Sequence, residues 1–276
     1  MIAALEPAAG TTLPAAAPDL PARLAELQRT VSASRLNTWH SCRLKFWFHY
    51  VQRLTKPPSA ARHVGSVVHS VLQAWNLARW RREPFRTEQR QAAFSASWNA
   101  QPPGIAWENE QEAQRQMAWG LLETNFRDTP IPADETPEAV EVTVEADLAA
   151  HGLPKLIGIL DLVRSGGRIV DFKTSAKTPD AAQVTHQHET QTSCYAVLYR
   201  EATGKTEGGI ELHHLVKLKT PKLVVTALPR MNDGQRTRLF RLLESYVTGV
   251  QRRDFVPSPG MQCGSCEFFN ECRQWH

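Results

Sequence analysis

The chain has 276 residues, 42% of them hydrophobic, enough to bury a sizeable core and expected to form one elaborated domain. Its 32 Lys and Arg against 28 Asp and Glu leave a formal charge of +4, compatible with a polyanionic partner without requiring one. No stretch approaches the ~20 consecutive apolar residues of a membrane span, and no basic segment followed by an apolar run marks a secretory signal, so a cytoplasmic protein with no membrane partner is expected.

Residues 1–30 are rich in Ala and Pro, with little periodicity until Leu24 and Leu27, and read as a disordered tail before a domain over 31–276. Ser32 or Ser34 caps a helix that carries Leu36, Trp39, Cys42, Phe46 and Tyr50 at helical spacing up to residue 50. A second helix over residues 65–80 places Val68, Val71, Leu72 and Trp75 on one stripe with His69 beside it. Taken alone, such a histidine is more often structural than a ligand. Residues 83–132 are polar, with Trp98, Trp107 and Trp119 scattered through helical pieces, and read as a helical insertion over the core.

Strand signals begin where Val140, Val142 and Val144 alternate with Glu141, Thr143 and Glu145. Two further strand-type runs flank a Ser165-Gly166-Gly167 turn and carry Asp161 on the first, Asp171 and Lys173 on the second. Residues two apart on a strand share a face, so Asp171 and Lys173 point together while Phe172 turns to the other side. A three-residue turn that sets Arg164 opposite Arg168 brings Asp161 opposite Asp171, whereas a two-residue Gly166-Gly167 turn sends it to the wrong face. Two carboxylates bind a hard divalent cation, and a nearby lysine can orient its water or balance charge on a phosphoryl group. The competing reading, a solvated surface hairpin, is opposed by the apolar neighbours Ile157, Ile159, Leu160, Val163, Ile169 and Val170, since buried strands rarely carry three ionisable groups without purpose. A helix over 189–201, a strand pair over 210–228 and a helix over 233–252 complete an α/β pattern. Residues 210–255 hold nine basic and four acidic residues, which suits either a phosphate-facing surface or an ordinary solvated helix face.

In this order, the histidine in GSVVHSVL, the aspartate in GILDLV, the DFK triplet and the QTSCY segment resemble the PD-(D/E)XK nucleases. The resemblance is specifically to the RecB-like branch that includes the AddB helicase-nuclease subunit and the CRISPR-associated spacer-acquisition nuclease. The resemblance implies a restriction-endonuclease-like mixed sheet flanked by helices. It implies a Mg or Mn site of His69, Asp161, Asp171 and the main-chain carbonyl of Phe172, with Lys173 as the catalytic lysine. Gln191 and Tyr195, four apart on one helix face, match the branch's Q-x-x-x-Y motif and would support Lys173 and hold the DNA backbone. Leu160 stands where the family label has proline, a position that varies.

Cys263, Cys266 and Cys272 form C-x2-C-x5-C in a turn-rich segment, 257–276, and a closed four-thiolate site needs a fourth ligand, for which Cys42 is the strongest candidate. Spacing alone leaves open a structural zinc site completed by His40 or His276. One early cysteine with a late trio resembles the 4Fe-4S nuclease domains of the same branch, so a cluster joining the two ends of the domain is expected. Cys194 reads as a small buried side chain. The expected function is a metal-dependent deoxyribonuclease, an exonuclease on single-stranded ends, in recombination, repair, phage DNA processing or spacer acquisition. The alternatives are a catalytically silent DNA-binding or assembly subunit and a zinc-binding interaction module. No phosphate-loop motif is present, so any motor would be a partner, a helicase or a CRISPR adaptation protein.

Overall fold

The computed structural model describes residues 19–107 and 110–275. The chain opens with helix α1 (Leu20–Arg29), which buries Leu24 and Leu27 against the core. The tail expected over 1–30 is therefore corrected for this stretch: two leucines three apart give a ten-residue helix one apolar stripe, enough to dock it. Residues 1–18 lie outside the described part. A two-residue strand β1 (Thr30–Val31) leads to α2 (Ala33–Ser41), capped by the Ser32 hydroxyl on Arg35 N.

The single helix expected up to residue 50 is broken at Cys42, whose backbone is extended (φ −163°, ψ 113°). Cys42 caps the next turn, α3 (Arg43–Phe46), which runs on into a π-helical turn at Trp47–Val51. Helix α4 (Ala60–Arg81) begins at a Ser59 cap and is longer than its apolar stripe predicts. The insertion is helical as expected, α5 (Thr87–Asn99) and α6 (Gln111–Asp128). Strands β2 (Ala139–Ala146), β3 (Lys155–Arg164) and β4 (Arg168–Ser175) follow, then α7 (Ala181–Gln187), α8 (Glu189–Thr203), β5 (Ile210–Val216), β6 (Lys222–Leu228), α9 (Asp233–Gln251) and the short α10 (Phe269–Arg273).

The six strands form one mixed sheet in the order β1-β3-β4-β5-β6, with β2 also on β3. Leu156 pairs with both Val31 and Ala146, and Leu162 with both Val140 and Val170. One edge of β3 is thus filled by β2, while its other edge is shared by β1 at one end and β4 at the other. Between them residues 157–161 have no partner on that edge, and the sheet is split there.

Two apolar layers cover the faces. One packs Leu156, Leu160, Ile169 and Leu212 under α8, α9, α1 and α2, with Trp39 against Phe46, Tyr246 and Phe255. The other packs Leu162, Val170, Phe172 and Leu215 under α4, α5 and α6. The insertion therefore supplies half of a core layer. Between Leu160 and Leu162 the alternation of β3 inverts, since both are even-numbered yet lie in opposite layers, and β2 inverts in the same place between Val142 and Val140. The residues at the inversion are Asp161 and Glu141. No helix among the described residues is long and apolar enough to cross a membrane.

Candidate active site and cysteine cluster

The β3–β4 turn is the three-residue form. Arg164 pairs with Arg168, and Gly166 (φ 75°) and Gly167 (φ 69°) supply the left-handed positions such a loop needs. Pairing continues through Leu162 and Val170 and then stops, leaving Asp161 and Asp171 across the open split. Because β3 inverts at Asp161, that side chain enters the gap, and its Oδ2 accepts the Phe172 backbone N–H at 3.0 Å.

Helix α4 closes one side of the split with His69, whose Nδ1 lies 3.4 Å from Asp161 Oδ2. The Phe172 ring is wedged under α4, edge-on to His69 at 6.4 Å and to His213 at 5.6 Å, which fixes β4 against both neighbours. Helix α8 closes the other side. Gln191 Nε2 donates to Asp171 Oδ1 at 3.1 Å and to the Tyr195 hydroxyl at 2.6 Å, and Tyr195 donates to the same Oδ1 at 3.0 Å. The pair thus braces Asp171, where support of Lys173 was expected. Lys173 Nζ is 2.8 Å from Asp171 Oδ2.

The site is short of positive charge. Burial, then the neighbouring Asp171 carboxylate, push Asp161 up to about 6, and His69 offsets only part of that. Asp171 is 2% exposed, and its Oδ2 has no partner at hydrogen-bond angles even though the Lys173 ammonium is close. Oxygen donors in this state suit a hard divalent cation. Among the described residues, no three of His, Cys, Asp or Glu already stand where one ion would touch them all. The carboxylates are instead turned to Lys173, Gln191, Tyr195, His69 and the Phe172 N–H.

Three residues of this neighbourhood had been passed over. Glu141 lies between the paired Val140 and Val142, level with Asp161 but not paired with it, in the left-handed region (φ 47°), at a backbone cost of about 1 kcal/mol for a non-glycine residue. Burial raises its carboxyl and His69 lowers it, so it belongs to the α4 side of the site. In the sequence it is one of three alternating strand acids and carries no separate signal. His214 pairs with Lys173 across β4 and β5, and His188 lies 5.9 Å from it ring to ring. Burial holds both below the usual histidine range, aided by the charge of Lys173. A buried strand with adjacent histidines was the available clue.

At the other end of the molecule Cys42, Cys263, Cys266 and Cys272 line one cavity of about 170 Å³, over an apolar shelf of Leu44, Phe48 and Phe268. Burial raises the Cys272 thiol, and the other three cysteines raise it further. Among the described residues, no three of these cysteines stand where one ion would touch them all. His40 is turned away, its Nε2 3.1 Å from the Leu242 carbonyl, and His276 lies outside the described residues. Cys194 is fully buried in α8 and its thiol is pushed up to about 12.

Comparison with known proteins adds the family. The PD-(D/E)XK nuclease superfamily matches residues 30–273. The crystal structure of a candidate exonuclease from Eubacterium rectale is similar, with a TM-score of 0.62 at 15% identity, covering 97% of this chain and 94% of that one. At that identity the likeness shows a shared fold. A second solved structure, SSO0001, aligns at a TM-score of 0.39 and 15% identity over 92% of this chain and 94% of that one, too distant to support an argument. No curated protein matches in sequence.

Proposed function

The chain belongs to the PD-(D/E)XK nuclease superfamily, and from that premise we propose that it is a Mg- or Mn-dependent deoxyribonuclease of the RecB-like branch, acting on single-stranded ends. The observation that carries this reading is the convergence of Asp161, Asp171, Lys173 and His69 at the split of the sheet, with the buried Asp171 Oδ2 beside the Lys173 ammonium at 2.8 Å. Asp161, Asp171, His69 and the Phe172 carbonyl would hold the ion. When bound, it would supply Lewis-acid polarisation of a phosphate oxygen and a more acidic water.

The protein's own part is positioning and charge. Tyr195 and Gln191 fix one oxygen of Asp171 and leave the other directed at the split. Lys173, already beside that oxygen, would hold the attacking water and balance charge on the phosphoryl group. The Phe172 N–H and His69 would keep Asp161 oriented. The four cysteines would hold a 4Fe-4S cluster, with zinc as the competing occupant, in a structural role.

The test is incubation of end-labelled single-stranded DNA with the protein in Mg or Mn, with and without chelator. Metal-dependent shortening of the strand is expected. Intact DNA under every divalent cation would favour the alternative, a silent DNA-binding or assembly subunit.

A further inference from the structure

A cleft of about 940 Å³ opens where three parts of the chain meet. They are the start of α4 with Arg62, the insertion with Trp107 and the first turns of α6, and the segment after β5 with Lys217. Ser265 and Glu267 of the cysteine loop complete its wall. Nothing in the catalytic reading uses these groups.

Two features point to an anionic chain as occupant. Lys217 is half-buried, and burial lowers its ammonium below the usual lysine range, with no carboxylate among the described residues opposing the shift. Of the two acids that line the cleft among the described residues, Glu267 pairs with Lys45 at 3.4 Å, while Glu110 accepts from Gln114, itself a lining residue, at 3.4 Å. Arg62 joins no ion pair among the described residues. A cation that has lost water without gaining a counter-ion favours a ligand that brings one. Trp107 is held by Trp98 at 5.4 Å and His63 at 5.6 Å, so it offers a rigid aromatic surface at the cleft.

The cleft also lies at a defined distance from the split of the sheet. Arg62 precedes His69 by seven residues on α4, about 10 Å of helix axis. Ala176 follows Lys173 by three residues, about 10 Å of extended chain, and Lys217 N donates to Ser175 O at 2.8 Å. At about 3.4 Å per stacked nucleotide, the separation is about three nucleotides.

Resting on the nuclease reading above, we propose that this cleft seats single-stranded DNA about three nucleotides from the scissile phosphate. Phosphates bind Arg62 and Lys217, and a base lies against Trp107. The insertion then has a role in substrate binding as well as in the core, because its second helix and Trp107 form one wall.

The experiment is a series of oligothymidylates from 3 to 12 nucleotides, cleaved in Mn by wild type and by the Arg62→Ala/Lys217→Ala double variant. Binding is followed in parallel by fluorescence anisotropy in the Asp171→Ala background. For wild type, KM should fall roughly tenfold once the strand exceeds about four nucleotides, and the double variant should lose most of that length dependence. The slope of log affinity against log salt should drop by about 1.4, and Lys217→Arg should keep it. Length-independent KM in wild type, or an unaltered slope in the double variant, would overturn the proposal. If no strand of any length were cut, the nuclease reading would fail, and the anisotropy series would still decide the cleft by the same length and salt criteria.

Discussion

Asp161 and Asp171 face one split but are stabilised differently, and the difference is measurable. Tyr195, Gln191 and Lys173 surround Asp171, whereas Asp161 has one backbone N–H and a histidine 3.4 Å away. Burial, and secondarily Asp171, raise Asp161 from 3.8 to about 6. The folded state therefore holds this proton more tightly than the unfolded chain does. Stability from this group is present below about pH 4, falls as pH rises through about 6, and is absent above. A shift of two units corresponds to at most about 3 kcal/mol. Asp161→Asn should then melt a few degrees higher than wild type in chelator at pH 7.5, with the difference shrinking at pH 4.5. Added Mn should raise the melting temperature of wild type more than that of the variant. An Asn variant less stable than wild type in chelator at pH 7.5 would show that Asp161 is satisfied by its neighbours and is not strained by the lack of a cation.

The hairpin is the element on which the site depends, and its turn provides an internal comparison. Gly166 and Gly167 both have positive φ, but a Cβ at Gly166 meets nothing within 4 Å, while one at Gly167 collides with the Tyr199 hydroxyl. Gly166→Ala should cost about 1 kcal/mol from backbone conformation alone, and Gly167→Ala about 2–3 kcal/mol, read from urea unfolding. Equal costs would mean that Tyr199 moves aside freely. The hairpin was legible in the sequence to the extent that, of the two turn lengths weighed, the three-residue form sets Asp161 level with Asp171. The inversion at Glu141 and Asp161 was not, since it depends on β2, β3 and α4 meeting and no residue there is a glycine or proline. The break at Cys42 was hidden for a similar reason: Trp39, Cys42 and Phe46 keep helical spacing through a residue that is itself extended. Gln191 and Tyr195 were found as a helical pair, but their target, Asp171, required the packing of α8 on the sheet. Helix α1 was missed because two leucines are a weak signal until a core exists to receive them.

Across the whole molecule, contacts 200 residues apart in sequence tie the first helices to the C-terminal loop. Arg43 pairs with Asp254, Lys56 with Glu271 and Lys45 with Glu267, and Leu44 N donates to Val256 O at 3.1 Å. The Phe48 and Phe268 rings pack at 5.7 Å beneath the cysteines. These links stand without a metal, so the proposed cluster would reinforce a junction that the protein also makes by itself. Cys272→Ala, purified anaerobically, should lose its iron and its visible absorption and gain protease sensitivity first within residues 257–275, with the sheet and its two layers retained. Iron content equal to wild type would contradict the four-cysteine site, and zinc in place of iron in the wild type would replace the cluster with a structural ion. The site at the split of the sheet is tested by comparing wild type with Asp171→Ala on end-labelled single-stranded DNA in Mg and Mn. Wild type should cleave in a metal-dependent way, and the variant, still folded, should lose at least about a hundredfold in rate. Cleavage by Asp171→Ala at the wild-type rate would contradict this assignment of the site.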